Sequence, residues 1–182
     1  VGQQDTTPPV TSISLSGAMG SNDWFVSDVT VNLTATDEAG GSGVAFTEYS
    51  IDGGTSWSNY TGPFLISSEG MTAVLFRSQD NAGNVETAKS AGLKIDKTPP
   101  SLAGLPAVGT CTLWPPNHKL VSVATVTPND GSSGVVSFSV VGTSNEPENG
   151  TGDGDTAPDI VITGGNVQLR SERSGGGSGR IY

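Results

Sequence analysis

The sequence predicts an all-β protein built from two tandem double-layered sandwiches, and three observations carry that expectation. The phrase Asp5-Thr6-Thr7-Pro8-Pro9 returns as Asp96-Lys97-Thr98-Pro99-Pro100, 91 positions later, which splits the 182 residues into halves 1–98 and 99–182. Apolar residues alternate with Thr, Ser and Asn in short runs, the period of half-buried strands, and no window places them at helical spacing over three turns. Gly 26 and Pro 11, against 14% charged residues, supply many turns and few helical surfaces.

In the first half, 10–16 alternates through Val10, Ile13 and Leu15 and reads as the first strand. A turn at 17–23 leads into 24–36, where Val29, Val31, Leu33 and Ala35 share one face and Thr30, Asn32 and Thr34 the other. After the loop 37–43, a third strand runs over 44–51 into Asp52-Gly53-Gly54, a strong hairpin turn. Short strands follow at 57–60 and 63–66. A longer strand at 71–78 turns through Asp80-Asn81-Ala82-Gly83-Asn84 into a last one at 85–95. Seven short strands in under a hundred residues form two packed antiparallel sheets, the immunoglobulin-like arrangement.

The second half repeats the opening. Thr125-Val126-Thr127-Pro128-Asn129-Asp130-Gly131-Ser132-Ser133-Gly134-Val135 aligns with Thr34-Ala35-Thr36-Asp37-Glu38-Ala39-Gly40-Gly41-Ser42-Gly43-Val44, a strand, an acidic Gly/Ser loop and another strand. Further strands are expected at 135–143, 160–163 and 167–171. By analogy with the first half, Arg180-Ile181-Tyr182 falls at the penultimate strand, so the second immunoglobulin-like sandwich is expected to lack its last strand. That strand either lies beyond this sequence or comes from another chain.

Charge narrows the partners. A formal charge of −10 offers nucleic acid and anionic lipid no basic patch, and cations are the natural counter-partners. No apolar run is long enough to span a bilayer, and there is no signal peptide, so an extracellular location is inferred from architecture. Cys111 is the one cysteine and is expected to be a small buried apolar group. His118, the one histidine, has no Ser, Cys or second His placed beside it for catalysis, and is expected to bond backbone. Trp114 is expected to plug the core. Paired carboxylates without a cleft do not make a glycosidase, so no enzyme is expected.

The acids fall at loop positions. Strand polarity brings Asp5, Asp37 and Asp80 to one end of the first sandwich, where carboxylates without Lys or Arg form an oxygen-rich cage suited to Ca²⁺. The alternative is that Asp and Asn stand there as turn formers. In the second sandwich Asp153, Asp155 and Asp159, with Glu146 and Glu148 nearby, make a denser acidic run at the far pole. Asp96, in the connector, and Asp130 are candidates for a shared ion at the joint, although a Pro-Pro connector without metal stiffens it in much the same way. Trp57 and Tyr60 are candidates for stacking on a sugar ring, against the core role most aromatic residues take.

The string from Asp5 to Pro100, through Thr34-Ala35-Thr36-Asp37, Gly40-Gly41-Ser42-Gly43-Val44, Thr47-Glu48-Tyr49-Ser50-Ile51-Asp52-Gly53-Gly54, Tyr60-Thr61-Gly62-Pro63-Phe64 and Asp80-Asn81-Ala82-Gly83-Asn84-Val85, resembles the tandem bacterial immunoglobulin-like (Big-type) repeats of large secreted or cell-surface proteins. The second half resembles a companion module through Leu113-Trp114-Pro115-Pro116-Asn117-His118-Lys119 and Gly152-Asp153-Gly154-Asp155-Thr156-Ala157-Pro158-Asp159. The resemblance implies extracellular spacers, adhesion modules or accessory domains of hydrolases, and no reaction. The expected function is thus a stalk or adhesion segment, calcium-stiffened, whose partners are the neighbouring modules of a longer chain. The alternatives are a carbohydrate-binding accessory domain on polysaccharide and a fibre subunit completed by a strand from another subunit.

Overall fold

The computed structural model describes residues 4–148, 157–172, 175 and 179–182. Every regular element among them is a strand. The chain divides into two compact units, Val1–Thr98 and Pro99–Tyr182.

The first unit contains β1 (Val10–Ser16), β2 (Val29–Thr36), β3 (Val44–Ser50), β4 (Ser58–Asn59), β5 (Phe64–Ile66), β6 (Gly70–Asp80) and β7 (Lys89–Ile95). They form a three-stranded sheet in the order β1-β2-β5 and a four-stranded sheet in the order β4-β3-β6-β7. All pairings are antiparallel. First, second and fifth strands on one layer, with third, sixth and seventh on the other, is the strand order of an immunoglobulin-like sandwich.

Alternation builds the core. Val29, Val31 and Leu33 of β2 and Ile66 of β5 face Val74 and Phe76 of β6 and Leu93 and Ile95 of β7, with Phe25 closing one end. Burying each such side chain stabilises by about 1.5–3 kcal/mol. Tyr49 stacks on Phe64 at 4.0 Å between centroids, which joins the layers at the rim. One polar line crosses the interior: the Thr11 and Ser78 hydroxyls pair at 2.6 Å and those of Ser78 and Thr47 at 2.8 Å. Buried Glu86 accepts the Thr11 N–H at 3.0 Å and pairs with Lys89 Nζ at 2.6 Å.

The hairpin from β3 to β4 is set by Asp52. Its carboxylate accepts the Ser50 hydroxyl at 2.7 Å and the Ser56 N–H at 3.0 Å, while Gly53 and Gly54 take φ of 75° and 89°. Glycine adopts two such successive angles without strain.

The second unit contains β8 (Ser101–Ala103), β9 (Leu120–Thr125), β10 (Thr127–Asn129), β11 (Ile160–Thr163) and β12 (Asn166–Arg170). β8 pairs with β10, and β11, β12 and β9 form a three-stranded sheet, all antiparallel. Ala124, Val126 and Val167 are its buried apolar residues, with Val123, Val140, Ile162 and Leu169 packed on them.

Three expectations do not hold in the structure. Residues 135–143 carry no strand: the alternation is present, but no hydrogen-bonded ladder partner lies beside it among the described residues, and Val136 and Val141 are exposed. Trp114 is 78% exposed and does not plug the core, because the segment 104–119 runs outside the three-stranded sheet. Cys111, in the same segment, is exposed.

Candidate cation site

Three carboxylates converge at the pole of the first unit where the chain enters. Asp5 precedes β1, Asp37 follows β2, and Asp80 ends β6, whose partner in the ladder is Val44 at the start of β3. Antiparallel polarity therefore delivers all three to one end, and one oxygen of each lies within 4.8 Å of the others.

Local chemistry holds each in place. The D-x-T phrase folds as an Asx turn, the Thr7 N–H donating to Asp5 Oδ1 at 3.0 Å. Asp5 Oδ2 accepts the Ser42 N–H at 2.7 Å, and the Asn84 side chain donates to the Asp5 carbonyl at 3.2 Å. Asp37 Oδ2 accepts the Gly43 N–H at 2.7 Å. Asp80, 1% exposed, accepts both the backbone N–H and the side-chain amide of Asn84 at 2.7 Å. Asn81 binds the carbonyls of Ser42 and Gly43 at 2.8 and 2.9 Å, which staples the two loops together. A Cβ at Gly41 would sit 2.7 Å from Asp37 Oδ2, so a side chain there would displace the carboxylate.

The electrostatics are those of an uncompensated acid cluster. Every donor named is neutral, and among the described residues no Lys or Arg forms an ion pair with these three carboxylates. The Ser42 N–H, then that of Thr7, holds the Asp5 carboxyl well below the usual carboxylate range. Loss of solvent around its carboxyl, then contact with Asp37, pushes neighbouring Glu38 up. Each oxygen that takes one N–H keeps a second lone pair. An all-oxygen, anionic donor set of this kind fits Ca²⁺.

The other expected ligands among the described residues do not belong to this cluster. Asp96 lies at the opposite pole of the first unit, where it is buried and its Oδ1 accepts the Thr98 N–H at 3.1 Å. Asp130 belongs to the second unit, and its Oδ1 accepts the N–H groups of Ser132, Ser133 and Gly134 at 3.1, 3.2 and 3.2 Å. Glu146 and Asp159 do not face an open cage: Arg180 pairs with Asp159, with Glu172 at 3.0 Å and with Glu146 at 3.4 Å, and Arg170 lies 3.8 Å from Asp159. Asp153 and Asp155 lie outside the described residues.

Trp57 and Tyr60 are each engaged by neighbours of their own. The Arg77 guanidinium covers Trp57 at 4.3 Å and is itself paired with Glu48 at 2.5 Å. Tyr60 packs edge-on against Phe64, and its hydroxyl donates to Asn32 at 2.8 Å.

Sequence reasoning missed Ser42 and Asn84 as the donors that orient the carboxylates. The signal available was the Asp80-x-x-x-Asn84 turn, in which an Asn four positions on reaches back to its own Asp. It also missed the cluster around Glu172, whose carboxyl is pushed up by burial and then by Asp159. The main-chain N–H of His118 donates to the Ser171 carbonyl at 3.0 Å, while its side chain, expected to bond backbone, places Nδ1 3.3 Å from the Glu172 carboxylate.

Strand order and site together define the first unit as an immunoglobulin-like β-sandwich with an acidic, oxygen-lined pole. No protein family and no curated protein matches the chain. Among solved structures it is similar to the PKD1 domain of Vibrio anguillarum Epp, at 15% identity over 50% of this chain and 100% of that one, with a TM-score of 0.36. At that TM-score the likeness adds nothing, and the fold assignment rests on the strand order. Among the described residues no helix is long and apolar enough to cross a membrane.

Proposed function

We propose that the chain is a non-enzymatic structural or adhesion segment of a larger extracellular protein of the bacterial immunoglobulin-like repeat kind, with neighbouring modules as its first partners. One observation carries this reading. The first unit takes the chain in at the Asp5 pole and lets it out at the opposite pole, where Ile95 pairs with Gly70 and Asp96 follows. Tension applied through the chain then runs along the strands and loads the β1–β2 ladder, which is paired from Val10↔Thr36 to Ser16↔Thr30, in shear. Many hydrogen bonds must break together under such a load, which is what a spacer needs.

Calcium belongs to the same proposal. An ion held by Asp5, Asp37 and Asp80 ties the segment before β1 to the loops that follow β2 and β6, and it offsets the mutual repulsion of the three carboxylates.

Single-molecule extension of the full chain tests the reading. The expected record contains one abrupt, cooperative unfolding event for the first unit, at a higher force in calcium than in chelator. A smooth extension with no force peak would overturn it.

A further inference from the structure

We infer that Glu69 is a clamp that fixes the direction in which the chain leaves the first unit, so that the connector is rigid through Thr98. The inference rests on the spacer reading for its purpose, though its geometry stands alone. Glu69 occupies the exposed bend before β6, and its Oε1 accepts the Lys97 N–H at 2.8 Å. The Thr98 hydroxyl donates to the same carboxylate, 3.2 Å from Oε1 and 3.1 Å from Oε2.

Lys97 is held a second time. Its ammonium donates to Asp28 Oδ1 at 2.9 Å and to the Ser67 carbonyl at 2.8 Å. Behind it, the Asp96 N–H donates to the Phe25 carbonyl at 2.9 Å, and the Asx turn closes onto Thr98. Two segments remote from the connector in sequence, through residues 25 and 28 and residues 67 and 69, thus grip three consecutive connector residues. Glu69 is the one that holds two of them with a single charged acceptor, and charge-assisted bonds are about twice as strong as neutral ones. A spacer whose connector were free from Ile95 onward would bend at every joint over several more residues.

The test is the backbone ¹⁵N order parameter of Lys97 and Thr98 in the full chain. The wild-type protein is expected to show rigid values, roughly 0.85, and Glu69→Ala values falling toward roughly 0.6. Glu69→Gln, whose amide oxygen still accepts but without the charge, is expected to fall between the two. Thr7, in the equivalent turn at the opposite pole, should not change in any variant. Rigid Lys97 and Thr98 in Glu69→Ala would overturn the inference, as would wild-type values already at the mobile level. The spacer reading itself is decided separately, by the force record.

Discussion

Asp5 accepts the backbone N–H of Ser42 at 2.7 Å, a bond that ties the segment ahead of the first strand to a loop 37 positions away. The bond explains why a phrase that looks like a linker is part of the fold. Asp5 caps its own turn with one oxygen and fastens the loop with the other.

Replacing Asp5 by Ala removes both functions at once. The first unit is expected to melt lower, and Asp5→Asn, which keeps a carbonyl oxygen for one of the two bonds, should fall between. Scanning calorimetry of the full chain reads both.

Asp80→Ala tests the buried arm of the same pole. It leaves the half-buried Asn84 N–H and side-chain amide without their charged acceptor, a loss of about 1–3 kcal/mol. Chemical denaturation should show it as a lower midpoint at unchanged slope.

Acid should weaken the first unit through Asp5 and Asp52. Both are held below the ordinary value of 3.8, Asp5 first by the Ser42 N–H and Asp52 first by the Ser56 hydroxyl. A depressed native value means that the unfolded chain binds more protons in this range, so stability rises with pH there. The contribution is fully present above about 3.8 and is lost as pH falls below it toward the native values. Melting temperature against pH should steepen there, and Asp52→Asn should flatten part of that slope.

In the second unit Arg180 is the central cation, its side chain 1% exposed among Asp159, Glu172 and Glu146. Arg180→Ala strands these carboxylates, and breaking a buried pair in this way destabilises by roughly 3–5 kcal/mol. The second unit should unfold at a lower temperature while the first melts unchanged, giving two separated transitions.

How far the sequence could be read follows from which interactions are local. The inward face of β2 was legible because period two needs only neighbouring residues, and Val29, Val31 and Leu33 are buried. Convergence of Asp5, Asp37 and Asp80 was legible because strand polarity follows from counting turns. Ser42 and Glu69 were not, since each acts on a partner chosen by loop geometry, and Asn84 left only the local Asp80-x-x-x-Asn84 signal. Glu146 and Asp159 read as cation ligands because acids near one another are visible in sequence, whereas Arg180, which returns to them 34 and 21 positions later, is not. Residues 135–143 alternate as a strand does, but a strand also needs a partner, and alternation says nothing about that. Trp114 was misplaced for a related reason: an aromatic residue fills a core only when its segment crosses it.

The acidic pole is the centre of the account, and calorimetry of the full chain in millimolar Ca²⁺ against chelator tests it most directly. The account predicts that the first unit melts higher in calcium and that Asp37→Asn together with Asp80→Asn abolishes the rise. Superimposable thermograms for the wild-type chain in calcium and in chelator would contradict it.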